Sequence, residues 1–332
     1  METLAQRSLP LIGFDRNQPF RRALSRLGLD LPVRHLGPAV VYHFGKTILI
    51  RPSSVEAWLA GCSTIYPGQG TRDFWESVWN LAMSSWDYID TVGREPWSPP
   101  SPAFPLFDPR FWRGGRRNHL LFARADRYID HLGISNAAHF RAWLDGMVRF
   151  QYGEGLDTVP LGMAALALNA PSETYLSEIG LPTSLIVRPS LPEPGYHPGK
   201  TAAWRIPFTP GGTFQNDPHP VHQVFFDEPM DRLAAQTVVL TKGLEGRGWL
   251  YFRTVKAREA ELPSLDLLQQ CISQALGSGW GTLEASSAEV LPPLQVGPGT
   301  DPSPHRPEPG WPWLGDVRAL IALQPDSLRS CE

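Results

Sequence analysis

The chain has 332 residues, 42% of them hydrophobic and 19% charged, with a formal charge of −3 and an isoelectric point near 6.3. That much apolar material sustains one large domain or two ordinary ones and excludes a disordered chain, and without a basic surplus there is no electrostatic footprint for a nucleic-acid partner. Cys62, Cys271 and Cys331 are far apart and form neither a C-x-x-C metal knuckle nor an even disulfide framework, no apolar run has the length of a membrane span, and residues 1–10 hold no signal-like stretch. The expectation is a cytoplasmic protein whose membrane contact, if any, is peripheral.

Gln18 to Leu29 places Phe20, Ala23, Leu24 and Leu27 at helical spacing and stops at Gly28, a C-terminal capping residue. V-V-Y-H-F and T-I-L-I flank Gly45-Lys46 and read as two strands joined by a tight turn. Ser54 caps a short helix through Trp58 and Leu59. From Thr71 onward Phe74, Trp75, Val78, Leu81, Ala82, Trp86 and Ile89 recur at three- and four-residue steps, with Trp79 widening the apolar face, so a long amphipathic helix is predicted. Pro96 to Pro109 is too rich in proline for helix or central sheet, and with Trp97, Phe104, Phe107, Phe111 and Trp112 it reads as an extended segment lying against the protein body.

Two helices follow, over Asn118–His131 and Asn136–Gln151, and then a short one over Pro160–Asn169 that is apolar nearly all round and therefore buried. Past Gly180 the texture turns to strands, at Ser184–Val187, Ala202–Phe208, Val221–Phe226, Thr237–Leu240 and Trp249–Val255. The last two flank a glycine-rich hairpin loop, and a further amphipathic helix follows over Pro263–Leu276. Leu291 to Pro312 reads as a poorly ordered or extended Pro/Gly tail, with a last strand or helix at Leu314–Leu323. The fold class is α+β: a helix-rich region over 1–180, a mixed or antiparallel sheet with helices over 181–290, and a tail over 291–332.

The order of these pieces resembles a known family. G-F-D-R-N-Q-P-F-R-R-A-L-S-R-L-G-L at 13–29, V-V-Y-H-F-G-K-T-I-L-I at 40–50 and I-Y-P-G-Q-G-T-R-D-F-W-E-S-V-W at 65–79 look like successive segments of the phytoene-desaturase-like and amine-oxidase-like FAD-dependent oxidoreductases. H-F-R-A-W-L-D-G-M-V-R-F-Q-Y-G at 139–153 and P-L-G-M-A-A-L-A-L at 160–168 are similar to the helix pair that lines the substrate cavity there. The resemblance covers about half the chain and implies flavin-linked oxidation, or binding, of an apolar isoprenoid-like or carotenoid substrate. A dinucleotide unit needs G-x-G-x-x-G directly after a strand. The glycines of P-G-G-T at 210–213, G-R-G-W at 246–249 and G-P-G-T at 297–300 lack that spacing. FAD is thus a cofactor by resemblance alone. If the likeness holds, the flavin comes with a separate flavin-binding polypeptide, and no catalytic residue carries over. The alternative is a non-catalytic lipid-binding, isoprenoid-binding or interaction protein.

The candidate pocket residues are Trp75, Trp79 and Trp86 on one predicted helix and Trp143, Met147, Phe150 and Tyr152 on or just past another. Helices facing each other through these residues wall a site for an apolar small molecule; plain core packing explains the same residues. Asp217-Pro218-His219-Pro220-Val221-His222 has metal-ligand residue types, but a strand puts its two histidines on opposite faces, so the simpler reading is a polar loop entering a strand. No G-x-S-x-G elbow is present. Acid pairs such as Asp145 with Glu154, or Glu178 with Glu193, are what any chain of this length offers.

Overall fold

A computed structural model describes residues 9–12, 33–38, 40–52, 54–92, 116–152, 154–168, 173–177, 185–189, 201–219, 221–227, 230, 232–233, 236–242, 246–255, 262–291 and 294–298. The protein is α+β. Its strands are β1 (Leu9–Ile12), β2 (Val33–Pro38), β3 (Val40–Phe44), β4 (Thr47–Ile50), β5 (Glu173–Ser177), β6 (Leu185–Pro189), β7 (Thr201–Pro210), β8 (Val221–Phe225), β9 (Thr237–Lys242), β10 (Gly248–Val255), β11 (Gly281–Leu283), β12 (Glu289–Leu291) and β13 (Leu294–Pro298). Its helices are α1 (Val55–Ile65), α2 (Gln69–Val92), α3 (Ala125–His131), α4 (Ala137–Tyr152), α5 (Leu161–Leu168), α6 (Gly212–Asn216) and α7 (Leu265–Leu276). No helix among the described residues is long and apolar enough to cross a membrane. The predicted helix over Gln18–Leu29, the proline-rich stretch over Pro96–Pro109 and the element at Leu314–Leu323 lie outside the described residues.

An eight-stranded sheet runs β11-β7-β10-β9-β8-β3-β4, with β12 beside β11 on the edge of β7. Every pairing in it is antiparallel except β3 with β8, whose register runs from Val40↔Val221 to Phe44↔Phe225. The sheet therefore joins a strand of the helix-rich region to those of the region after 180. Small antiparallel sheets β1-β5-β2 and β13-β6 use the remaining strands.

Alternation along each strand sorts the side chains to two faces. Val40, Tyr42, Phe44, Leu49, Val221, Val239 and Tyr251 join one core with Trp58, Phe74, Phe140 and Trp143 from α1, α2 and α4. Trp204, Ile206, Phe208, Val224, Leu240, Leu250 and Phe252 face the other way and pack on Leu268 and Ile272 of α7. Strands buried on both faces need apolar residues at both parities, which is why β3 reads as a run and not as alternation, whereas β8 buries the polar His222 and Gln223 at its centre. At the β4 edge the cover ends, and Ile48 is 59% exposed.

Local chemistry sets the elements. Ser54 caps α1 by accepting the Ala57 amide at 3.0 Å, and Trp58 and Cys62 lie one turn apart on its buried stripe. Gly45 turns the β3-β4 hairpin at φ 55°, a left-handed conformation that costs glycine little. α5 has seven of its eight residues buried, as its apolar composition implies. The helix expected over Asn118–His131 is instead a 3-10 turn at Arg116–Phe122 followed by α3. The break has a cause: the 123–125 backbone bonds sideways, with Leu161 donating to the Ala123 carbonyl at 2.7 Å and Arg124 bridging to Pro160. Those bonds replace the i to i−4 ladder that a continuous helix requires.

Gly248 lies opposite Phe208 in the β10-β7 ladder, and the Phe208 ring folds over it, so an added Cβ would sit 2.2 Å from that ring. Phe208 is itself wedged by Phe214 and Trp280 and has nowhere to go. Gly248→Ala is expected to cost about 1–3 kcal/mol by overpacking. Gly212→Ala, where nothing lies within 4 Å, should change stability by less than about 0.5 kcal/mol. Urea unfolding midpoints of the two variants check the contrast.

Candidate functional site

Between the sheet and the helices the aromatic residues form one interlocked group. Trp143 of α4 is its centre: it meets Phe44 edge-on at 5.0 Å, stacks on Tyr66 at 5.8 Å, and lies 5.7 Å from Trp75 and 6.0 Å from Trp58. Phe74 and Phe140 close the same interface edge to face at 5.3 Å. α2 and α4 do face each other, as the two aromatic stripes imply, and their rings fill the space between them. Trp75, Trp143, Met147 and Phe150 are all buried in this packing. Trp79, one turn beyond Trp75, is only half-buried. Trp86 and Tyr152 belong to α2 and α4, and their side chains lie outside the described residues.

At the β4 end of this aromatic layer a shallow, half-open cleft, with an enclosed volume of about 20 Å³, is lined by Arg51, Pro52, Ser54, Val55, Trp58, Trp75, Val78 and Trp79. Two of the sequence-predicted residues, Trp75 and Trp79, therefore share a concave surface. Arg51 was not among those candidates. It follows β4, and its amide extends the hairpin ladder to the Val40 carbonyl at 2.9 Å. That bond fixes where the side chain enters the layer.

Arg51 is only 4% exposed. It lies 4.1 Å from the Trp58 ring centre and 5.8 Å from that of Trp75, and it donates to the Leu168 carbonyl at 3.4 Å. Burial lowers its pKa, but an arginine stays charged in any protein environment. Its titratable neighbours are neutral. Burial raises the Tyr42 hydroxyl and the Cys62 thiol, outweighing the pull of the guanidinium on each. The indole N–H groups of Trp58, Trp75 and Trp143 and the Thr71 hydroxyl are buried without a hydrogen-bond partner.

The D-P-H-P-V-H segment forms a second polar group, on the opposite face of the sheet. β8 begins only at Val221, so His219 stays in the loop, where Asp217 accepts from both its amide and its ring Nδ1 at 2.8 Å. His222 points into the α7 side and stacks on His43 of β3 with ring centres 5.3 Å apart. His43 has no sequence signal, because only the parallel β3-β8 pairing brings it there. No group of three or more His, Cys, Asp or Glu among the described residues is arranged to hold a metal ion. Asp145, one of the paired-acid candidates, is engaged structurally by Arg149 at 2.5 Å and the Leu156 amide at 2.8 Å.

Proton positions in the histidine pair follow from its neighbours. The His219 carbonyl can only accept, so His222 Nε2, 3.3 Å away, donates to it and leaves Nδ1 as a lone pair. His43 Nε2, 3.1 Å from that atom, must then donate, which leaves His43 Nδ1 buried and without a partner. A second proton on either ring therefore creates an unpaired buried N–H. Burial accordingly holds both histidines at about 4, against 6.5 in the open, despite the opposing pull of Asp217. Burial alone would raise Asp217, but the His219 amide and ring bonds outweigh it and hold the carboxyl below its usual range.

Comparison with protein-family models and with curated proteins gives no match to this chain.

Because the folded histidines titrate below their unfolded value, the unfolded chain binds more protons between about pH 6.5 and 4. Stability is complete above that window and falls as the pH drops through it, by about 3 kcal/mol for each histidine kept uncharged. The loss belonging to Asp217 begins only lower, as the pH falls below the ordinary aspartate value. Urea unfolding from pH 7 to 4.5 should show this decline, and a His43→Phe, His222→Phe double variant should flatten it. A wild-type curve level across that range would refute the assignment.

Proposed function

We propose that the protein is a non-catalytic binder of an amphipathic apolar small molecule, and that the ligand sits in the cleft formed by Arg51, Pro52, Val55, Trp58, Trp75, Val78 and Trp79. The observation that carries this reading is the lining itself: aromatic and branched aliphatic walls converge on a single buried charged group. Ligand sites are recognised by this combination of apolar area, which supplies most of the affinity, and a few polar groups that set orientation. The half-buried Trp79 leaves one indole in position to cover a bound molecule.

The histidine group supports binding over catalysis. His43 and His222 are buried, neutral and committed to structural hydrogen bonds, so they are poorly placed to exchange protons with a substrate. The segment order that resembles the substrate half of flavin-dependent desaturases supports the same ligand class, an isoprenoid-like or other long apolar molecule. Binding at this cleft requires no flavin and no second polypeptide.

Decanol, geraniol and decanoate, each kept below its aggregation threshold, are the probes. At least one should quench or shift the tryptophan fluorescence saturably, and Trp79→Ala, a change at a half-buried position, should weaken that binding about tenfold by removing roughly 1–1.5 kcal/mol of contact. Absence of saturable binding by all three, or equal binding by the Trp79→Ala protein, would exclude the cleft as the site.

A further inference from the structure

We propose that the ligand of this cleft is a monocarboxylate, an apolar chain ending in one carboxyl group, and that Arg51 with the indole N–H groups of Trp58 and Trp75 receives that carboxyl. The inference rests on the binding reading above and names the chemistry of the ligand's polar end.

Charge balance is the first argument. A guanidinium out of water is normally paired with an anion, because the cost of desolvating it is large. Among the described residues no carboxylate pairs with Arg51, and the titratable groups beside it are a phenol and a thiol, both held protonated. The faces of Trp58 and Trp75 attract the cation, yet they leave most of its five N–H donors without a strong acceptor. The acceptor contacts at hand are a long bond to the Leu168 carbonyl and the neutral hydroxyl of Tyr42, neither of which supplies a negative charge.

Hydrogen-bond balance is the second and is independent of charge. Two residues of the lining, Trp58 and Trp75, hold buried indole N–H groups with no acceptor. Ser54, the one hydroxyl of the lining, already has its oxygen engaged by the Ala57 amide. The lining thus has donors in excess and offers no carboxylate or imidazole of its own. The complement of such a surface is a group that only accepts and carries negative charge. A single water molecule supplies acceptors but leaves the charge uncompensated.

The count of charges selects among anions. One guanidinium matches one negative charge, and a carboxylate presents two oxygens in the plane that suits an arginine fork. A phosphate monoester would bring close to a second negative charge, for which the lining holds no second cation. Pro52, Val55, Val78 and Trp79 then cover the first carbons of the chain.

The test compares decanoate, decanol and decyl phosphate on the full-length wild-type protein at pH 7.5, by calorimetry and by the indole N–H resonances of ¹⁵N-tryptophan-labelled protein. Decanoate should bind at least tenfold more tightly than either of the others and should shift the Trp58 and Trp75 resonances downfield. Arg51→Gln should abolish that preference while chain binding persists; if the variant does not fold, the wild-type ligand series decides alone. Equal affinity for decanol overturns the carboxyl receptor and leaves the binding reading standing. Equal or tighter binding of decyl phosphate overturns the choice of carboxylate. No binding by any of the three overturns both readings together.

Discussion

The parallel pairing of β3 with β8 is the constraint on which the rest of the molecule depends. Through it, five consecutive buried residues of β3 serve both layers at once. Tyr42 and Phe44 become the floor beneath Trp143, while His43 is delivered to the opposite face beside His222. The hairpin that β3 makes with β4 then carries Arg51 under Trp58 and Trp75. A register shift of one residue in β3 would exchange the faces and dismantle both polar groups together.

The two faces handle buried polarity in different ways. On the α7 side, the histidine pair is kept neutral and spends its hydrogen bonds on itself and the His219 carbonyl, leaving one lone pair over. A missing partner for a lone pair is a modest cost. On the helical side, the polar group is a permanent charge surrounded by neutral rings and donor groups. A buried cation that no carboxylate among the described residues pairs costs more than any single neutral orphan, so it marks the place where the described fold is least complete without something added.

Much of the secondary structure was readable because local patterns and tertiary context agree. α1, α2, α4, α5 and α7 lie where apolar spacing and capping place them, and β7, β8, β9 and β10 where β-branched and aromatic runs predict strands. The exceptions are the 3-10 turn before α3, where cross-bonds from residues 159–161 compete with the helix and leave no trace in local periodicity, and the short elements α6, β1, β2, β5, β11, β12 and β13, the last of which pairs with β6 inside the stretch expected to be a tail. The aromatic candidates divided by depth. Trp75 and Trp143 sit on the expected faces, but periodicity reports which side of a helix is apolar and cannot report whether the facing surface fills the gap. Among the described candidates, only the turn containing Trp79 reaches open space. Arg51 was invisible for a related reason: an arginine after a strand reads as a solvated flank unless something covers it.

By itself the sequence determined the class of the protein, the sites of its longer helices and of most strands of the large sheet, and the abundance of aromatic residues that the helices of the first half would bury, since these depend on contacts a few residues apart. It also narrowed the chemistry by offering no strand-linked glycine fingerprint and no basic field. The tertiary structure alone decided which strand neighbours β3, that His43 and His222 meet, and that Arg51 is enclosed. Those outcomes join residues more than a hundred positions apart, as when His43 meets His222 or Arg51 meets Leu168. Nothing in local propensity encodes such partners. They are selected by the packing of two sheet faces against different helices, and that selection is complete only when the whole sheet has formed.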